Sequence, residues 1–300
     1  MHSGPFRDTR IGMALDDTGE RLVPGSNDPD LRNEHLARYR FAEPLATGRR
    51  ILDAGCGTAY GAELLAAAGA EVHALDRDRE TVAQVRNTHP RLRLVRGDCA
   101  RLPFRDRSFD LVVAFEVIEH LRDWDDLIRE AARILRPSGA FMVSTPNRAY
   151  YNSGRERPNP FHVHEFDFAE FRAALAAYFV HCAIYLENHA PAIAVTSRRD
   201  RQGRAHFESA ASDPEHAHFL IGVCSMEARE APPDFAYLPQ AGNVLREREL
   251  HLRKLNDWVA ALEARHSAVE RRMSRELSRL PYRILRRLRL APQVPVKWTD

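Results

Sequence analysis

Two hydrophobic rhythms alternate along the first half of the chain. Ile51 and Leu52 open a short apolar run, and "AYGAELLAAAGA" (59–70) then carries helical spacing that Gly69 ends. "EVHALD" (71–76) predicts a strand, "DRETVAQVRNTH" (78–89) a helix, and "LRLVRGD" (92–98) and "FDLVVAFEV" (109–117) two more strands. In "WDDLIREAARIL" (124–135), Leu127, Ile128, Ala131, Ile134 and Leu135 share one face, the mark of an amphipathic helix. "AFMVSTPN" (140–147) is a fifth strand. Short apolar strands separated by helices predict an α/β fold, a parallel sheet covered on both faces.

The flanks differ. Residues 1–29 read as an irregular arm, and a helix follows from an N-cap at Asp30 to Pro44, with Leu31, His35, Leu36, Tyr39 and Phe41 at helical spacing. After a helix near 167–177, "YFVHCAIYLEN" (178–188) and "HFLIGVCSM" (218–226) are strands with no clear helix between them, which predicts an antiparallel edge. The main domain is thus expected over 30–230 and a proline-containing linker over 231–243. A helical extension follows over 244–290, then a tail over 291–300. In the extension Leu252, Leu255, Val259, Leu262, His266, Val269 and Met273 form a heptad seam interrupted by the histidine. The end of this segment mixes Leu280, Ile284, Leu285 and Leu288 with five arginines.

Composition narrows the function classes. The 300 residues are 44% hydrophobic and 29% charged, enough for a core and a polar surface, and the net charge of +2 gives no global field for nucleic acid. Cys56, Cys99, Cys182 and Cys224 are widely separated and contain no C-x-x-C pair, so reduced thiols are expected rather than disulfides or a zinc site. The first residues lack the apolar core of a signal peptide, and no apolar run approaches the ~18 residues that span a bilayer, so a cytoplasmic location is expected.

The candidate chemistry begins at "LDAGCGTAYG". Gly55, Gly57 and Gly61 follow a strand in a pattern one residue longer than the dinucleotide fingerprint. Asp76 ends the second strand, 19 residues after Gly57 (76 − 57 = 19), where an acid accepts ribose hydroxyls; Asp98 ends the third, where one could accept from an adenine amino group. Asp53, ahead of the glycines, would repel phosphate but could hold an ammonium group. S-adenosylmethionine offers ammonium, ribose and adenine without phosphate.

Together with "SFDLVVAFEVIEHL" and "ILRPSGAFMVSTPN", these segments resemble the class I S-adenosylmethionine-dependent methyltransferases over roughly residues 45–175. The resemblance implies a seven-stranded, Rossmann-like, mostly parallel sheet with an antiparallel last strand. It also implies cofactor contacts by Asp53, Gly55, Gly57, Asp76, Asp98 and Phe115 or Glu116, and the candidate set takes in Cys56, Arg77 and Cys99 beside them. Cys56 reads first as a small buried filler.

Methyl transfer to a hydroxyl needs alignment and a base, most often a neutral histidine. "EVIEHL" offers Glu116, Glu119 and His120, on one face if the segment is helical, and "NPFHVHEF" offers His162 and His164. The candidate catalytic residues are His120, His162 and His164, with a bare His120 as the favoured base. Glu116, Glu119, His120 and His164 form a candidate divalent-cation set.

Small-RNA 3′-end 2′-O-methyltransferases are similar in carrying Glu-x-x-Glu-His, Thr-Pro-Asn and a later His two residues before Phe. This chain lacks an arginine-rich RNA-holding segment in that domain. "GERLVPG" (19–25), "EHLARYRFA" (34–42) and "NPFHVHEF" (159–166) resemble bacterial glycan- and sugar-tailoring enzymes, and "EVIEH" is shared with ubiquinone-pathway O-methyltransferases. The expected acceptor is a small molecule or glycan rather than nucleic acid. His35, Arg38 and Tyr39 would line its site from the N-terminal helix. A scaffold that has lost catalysis is the other rival reading. For the C-terminal segment the candidate roles are a homodimer contact through the helix and a membrane-surface contact through its basic end.

Overall fold

The structure, a computed structural model, describes residues 29–151, 159–189, 213–239, 244–278 and 280–289. The chain divides into two compact units, Met1–Gln240 and Ala241–Asp300.

The first unit holds α1 (Pro29–Ala46), β1 (Arg50–Ala54), α2 (Tyr60–Ala67), β2 (Glu71–Asp76), α3 (Arg79–Thr88), β3 (Arg93–Arg96) and β4 (Phe109–Phe115). It continues with α4 (Trp124–Ile134), β5 (Leu135–Pro146), α5 (Arg148–Tyr151), α6 (Phe168–Ala176), β6 (His181–Glu187) and β7 (Phe219–Ser225). The seven strands lie in the order β3-β2-β1-β4-β5-β7-β6. β1 pairs in parallel with both β2 and β4, while β7 runs antiparallel to β5 and β6. The antiparallel strand is therefore second from the edge, and β6 takes the edge itself.

Continuous apolar strands bury both faces. Along β5, Phe141 and Val143 enter the core with α4 and α6, whereas Ala140 and Met142 enter the core with α1 and α2. This period of two inside an unbroken apolar run is what a doubly covered sheet requires. Strand order reverses at β1, so the carboxyl ends of β1 and β4 flank the crevice where open α/β sheets bind ligands.

Four local expectations shift. α1 starts at Pro29, a favoured first helical residue, so Asp30 sits inside the helix. Pro44 does not close it, and the helix runs two residues further, to Ala46. β5 begins at Leu135, directly on the end of α4. The stretch 231–239, expected as linker, packs on β6 and α1: Tyr185 Oη donates to Pro232 O at 2.6 Å, and the Phe235 and Phe41 rings are 6.1 Å apart. The four cysteines are free thiols. No helix among the described residues is long and apolar enough to cross a membrane.

In the second unit α7 (Val244–Ser278) precedes α8 (Leu280–Arg287). Leu252, Leu255, Val259, Leu262, Val269 and Met273 of α7 are all exposed.

Candidate active site

The loop between β1 and α2 curls through three left-handed positions, Gly55 (φ +79°), Gly57 (φ +51°) and Ala59 (φ +61°). Each glycine has its own reason. A Cβ on Gly55 would come 2.5 Å from Val117 Cγ2, so this glycine lets the post-β4 turn approach. A Cβ on Gly57 would meet nothing within 4 Å, so there the backbone faces open space, as a ligand cradle needs. Gly61 is not left-handed; a Cβ there would overlap three atoms of the Tyr39 ring.

Replacing Gly61 by alanine is accordingly expected to cost about 1–3 kcal/mol through overpacking. In chemical denaturation, Gly61→Ala together with Tyr39→Ala should cost less than the sum of the two singles, because the offending ring is gone. Simple additivity would show that the two positions do not touch.

Three backbone N–H groups fix the loop to β2. Gly55 N and Cys56 N donate to Leu75 O at 2.8 and 2.9 Å, and Gly57 N donates to Asp76 Oδ2 at 3.0 Å. Asp76 Oδ1 accepts from Asp78 N at 2.9 Å. A carboxylate accepts about four hydrogen bonds, so Asp76 retains capacity for a diol. Asp98 is exposed and accepts from Ala100 N at 2.9 Å, and Arg77 is exposed beside Asp76. Cys56 and Cys99 are buried; burial and nearby carboxylates push the Cys99 thiol up to about 12 and the Cys56 thiol higher still. Both serve as small apolar fillers at neutral pH.

Asp53 is 1% exposed, and its two oxygens accept from Tyr39 Oη at 3.1 and 3.2 Å. Burial pushes its pKa up to about 7; the Tyr39 bond works against that, and the charge of Asp76 adds to it. The Tyr39 ring stands edge-on to Phe115 at 5.1 Å and to Tyr60 at 5.6 Å. His35 Nδ1 lies 2.5 Å from Tyr60 Oη.

Thus His35, Arg38 and Tyr39, expected to line an acceptor site, are buried and tie α1 to the glycine loop and the sheet. Arg38 Nε donates to Glu187 Oε2 at 2.6 Å, its Nη1 lies 3.7 Å from Glu116 Oε1, and its guanidinium covers the Phe219 ring at 4.2 Å. Burial alone would lower its pKa, but Glu116 and Glu187 outweigh that and raise it. Burial pushes Glu187 up to about 7 despite Arg38.

"EVIEH" is not an α-helix. Glu116 takes a left-handed φ of +56°, and Ile118–His120 form a single 3-10 turn. The sharp exit is held by Ser144: Glu116 N donates to Ser144 Oγ at 3.1 Å, and that hydroxyl donates to Glu116 Oε1 at 2.7 Å. Glu116 is thereby turned towards Arg38 rather than towards Glu119 and His120.

The "NPFHVHEF" loop docks onto this turn through Val163 N and His164 N, which donate to Glu119 O at 2.8 and 3.1 Å. His120 Nδ1 lies 2.9 Å from Phe161 O. A carbonyl only accepts, so the proton is on Nδ1 and Nε2 is the basic atom. His162 Nδ1 lies 3.1 Å from Glu165 Oε1, and its ring is 5.2 Å from that of His120. His164 is drawn away, with Nε2 2.8 Å from Glu170 Oε1 and its ring stacked on Trp124 at 5.6 Å.

The candidate cation ligands accordingly regroup. Glu119, His120 and His162 have ligand atoms within 4.8 Å of one another, while Glu116 and His164 of the expected set face other partners. Glu187, Ser144, Tyr60 and the Phe161 carbonyl were not expected. Tyr60, Ser144 and Phe161 lie inside segments that the sequence singles out, whereas nothing local marks Glu187.

Comparison with known proteins agrees with this architecture. The family described as a methyltransferase domain matches residues 52–143. A probable S-adenosylmethionine-dependent methyltransferase of Mycobacterium tuberculosis is 42% identical over 193 residues, 62% of this chain and 69% of that protein. A ubiquinone biosynthesis O-methyltransferase of Methylocella silvestris is 34% identical over 128 residues, 39% of this chain and 47% of its own. Among solved structures, an S-adenosylmethionine-dependent methyltransferase of Thermotoga maritima has a TM-score of 0.50 at 18% identity, covering 65% of this chain and 90% of that one; this likeness speaks to the fold alone.

Proposed function

Because the chain belongs to the S-adenosylmethionine-dependent methyltransferases, we propose that it methylates a hydroxyl of a sugar-containing or other small acceptor, with His120 as the base. The observation that carries the reading is the 2.9 Å pairing of His120 Nδ1 with Phe161 O, which leaves Nε2 as the basic atom just beyond β4. S-adenosylmethionine supplies, when bound, a methyl group on a positively charged sulfur open to in-line displacement.

The chain's own groups suit that donor. Asp53 takes the ammonium, Asp76 the ribose diol and Asp98 the adenine amino group, and the open face of Gly57 admits a ligand against the backbone. His120 Nε2 takes the hydroxyl proton as the new carbon–oxygen bond forms. The name of the Methylocella silvestris relative is in keeping with oxygen as the target.

The test is to offer methyl-labelled donor to neutral sugars, catechols, amines and RNA. Label is expected in a hydroxylated small molecule; label confined to amines or to RNA would overturn the reading.

Cofactor binding should also depend on pH. The ammonium pairs with the Asp53 carboxylate, and the free protein holds a proton there up to about pH 7. Binding must expel that proton, so affinity should fall by up to about tenfold per pH unit below 7, and above 7 it should level off until the ligand's own α-ammonium loses its proton. Calorimetry in buffers of different ionisation enthalpy would count the proton. Tyr39→Phe removes a bond that stabilises the carboxylate and should move the midpoint upward.

A further inference from the structure

We propose that α7 is the interface of a parallel, in-register homodimer of this chain. The heptad places Leu252, Val259, His266 and Met273 at one core position and Leu255, Leu262 and Val269 at the other. Except for His266, these are apolar side chains left 42–57% exposed along one continuous helix. The seam from Leu252 to Met273 spans 22 residues, about 33 Å of helix.

Flanking charges choose the partner and its direction. Glu263 and Glu270 occupy the position after one core residue, and Arg265 and Arg272 the position before the other. In a parallel pair, Arg265 of one helix faces Glu270 of its partner, and symmetry repeats the contact. An antiparallel pair would set glutamate against glutamate and arginine against arginine. Glu270 is also turned towards the seam, its Oε1 lying 3.4 Å from His266 Nε2.

His266 fixes the register. Matched helices put histidine opposite histidine, where two imidazoles can share a hydrogen bond or a water. A slip of one heptad would bury each histidine against Val259 or Met273 instead. An anionic membrane or another protein could cover an apolar stripe, but neither explains the pairing of charge with direction.

The full chain is tested by sedimentation velocity at tens of micromolar. A dimer is expected for the wild type and a monomer for Leu262→Asp. Arg265→Glu and Glu270→Arg should each weaken dimerisation by about 2- to 10-fold, and the double exchange should restore it. Leu255→Cys should cross-link to its own copy under mild oxidation, since only a parallel register brings those positions together. A wild-type monomer, equal dimerisation by all charge variants, or no Leu255→Cys cross-link would each overturn the proposal. So would recruitment to anionic vesicles in place of self-association.

Discussion

Replacing His120 by alanine is expected to slow methyl transfer by roughly 10²–10⁴-fold while leaving cofactor affinity within a few-fold of wild type. The hydroxyl then has no positioned group to take its proton. The fold should tolerate the change, because His120 is partly exposed and its described tie is to one carbonyl of a surface loop. His162→Ala should cost less, since that ring reaches the site through its neighbour rather than from the end of β4. Chelators separate the two chemistries available to this group. A bare base predicts an unchanged rate in chelator. Loss of turnover on chelation, with similar losses in Glu119→Ala, His120→Ala and His162→Ala, would instead assign a cation to these three ligands. A wild-type rate in His120→Ala would remove the residue from the mechanism.

The second large effect belongs to Asp76. Asp76→Ala should weaken binding of S-adenosylmethionine and its demethylated product by about 1–3 kcal/mol, roughly 5- to 150-fold. Two losses act together. The ribose hydroxyls lose their acceptor, and Gly57 N and Asp78 N lose the carboxylate that joins the loop to α3. Asp78→Ala serves as the comparison: it removes the cap that accepts from Thr81 N at 3.0 Å and should lower stability by about 1 kcal/mol with little effect on affinity. Equal calorimetric affinities for wild type and Asp76→Ala would show that the ribose lies elsewhere.

Much of this arrangement was legible in the sequence because it is local. β1, the glycine loop and α2 form one continuous segment, and apolar runs bounded by helices define a parallel sheet before any pairing is known. Asp53, Asp76 and Asp98 close three of those runs, so their convergence follows from the topology. What escaped depends on pairing between distant segments. Glu187 meets Arg38 only because β6 takes the edge beside β7, and nothing near residue 187 marks that edge. The helical reading of "EVIEH" failed for a different reason: Ser144 on the adjacent strand captures both the backbone and side chain of Glu116, which favours a left-handed exit over a helical one. His162 and His164 were indistinguishable by spacing. Glu170, in the first turn of α6, and the face of Trp124 draw His164 away and leave His162 beside His120. Tyr39 packs on the glycine loop, through a close approach to Gly61 that only packing reveals.

The central claim, that a methyl group passes from S-adenosylmethionine to a hydroxyl oxygen, is tested most directly by the bond the methyl group makes. The measurement is heteronuclear NMR of products formed from donor labelled with ¹³C in the methyl group, using a fraction of neutral glycosides as acceptor. The account predicts a methyl ether carbon that is absent without enzyme and strongly reduced with His120→Ala. A labelled carbon bonded to nitrogen or sulfur, or a methyl ether formed equally well by His120→Ala, would contradict it.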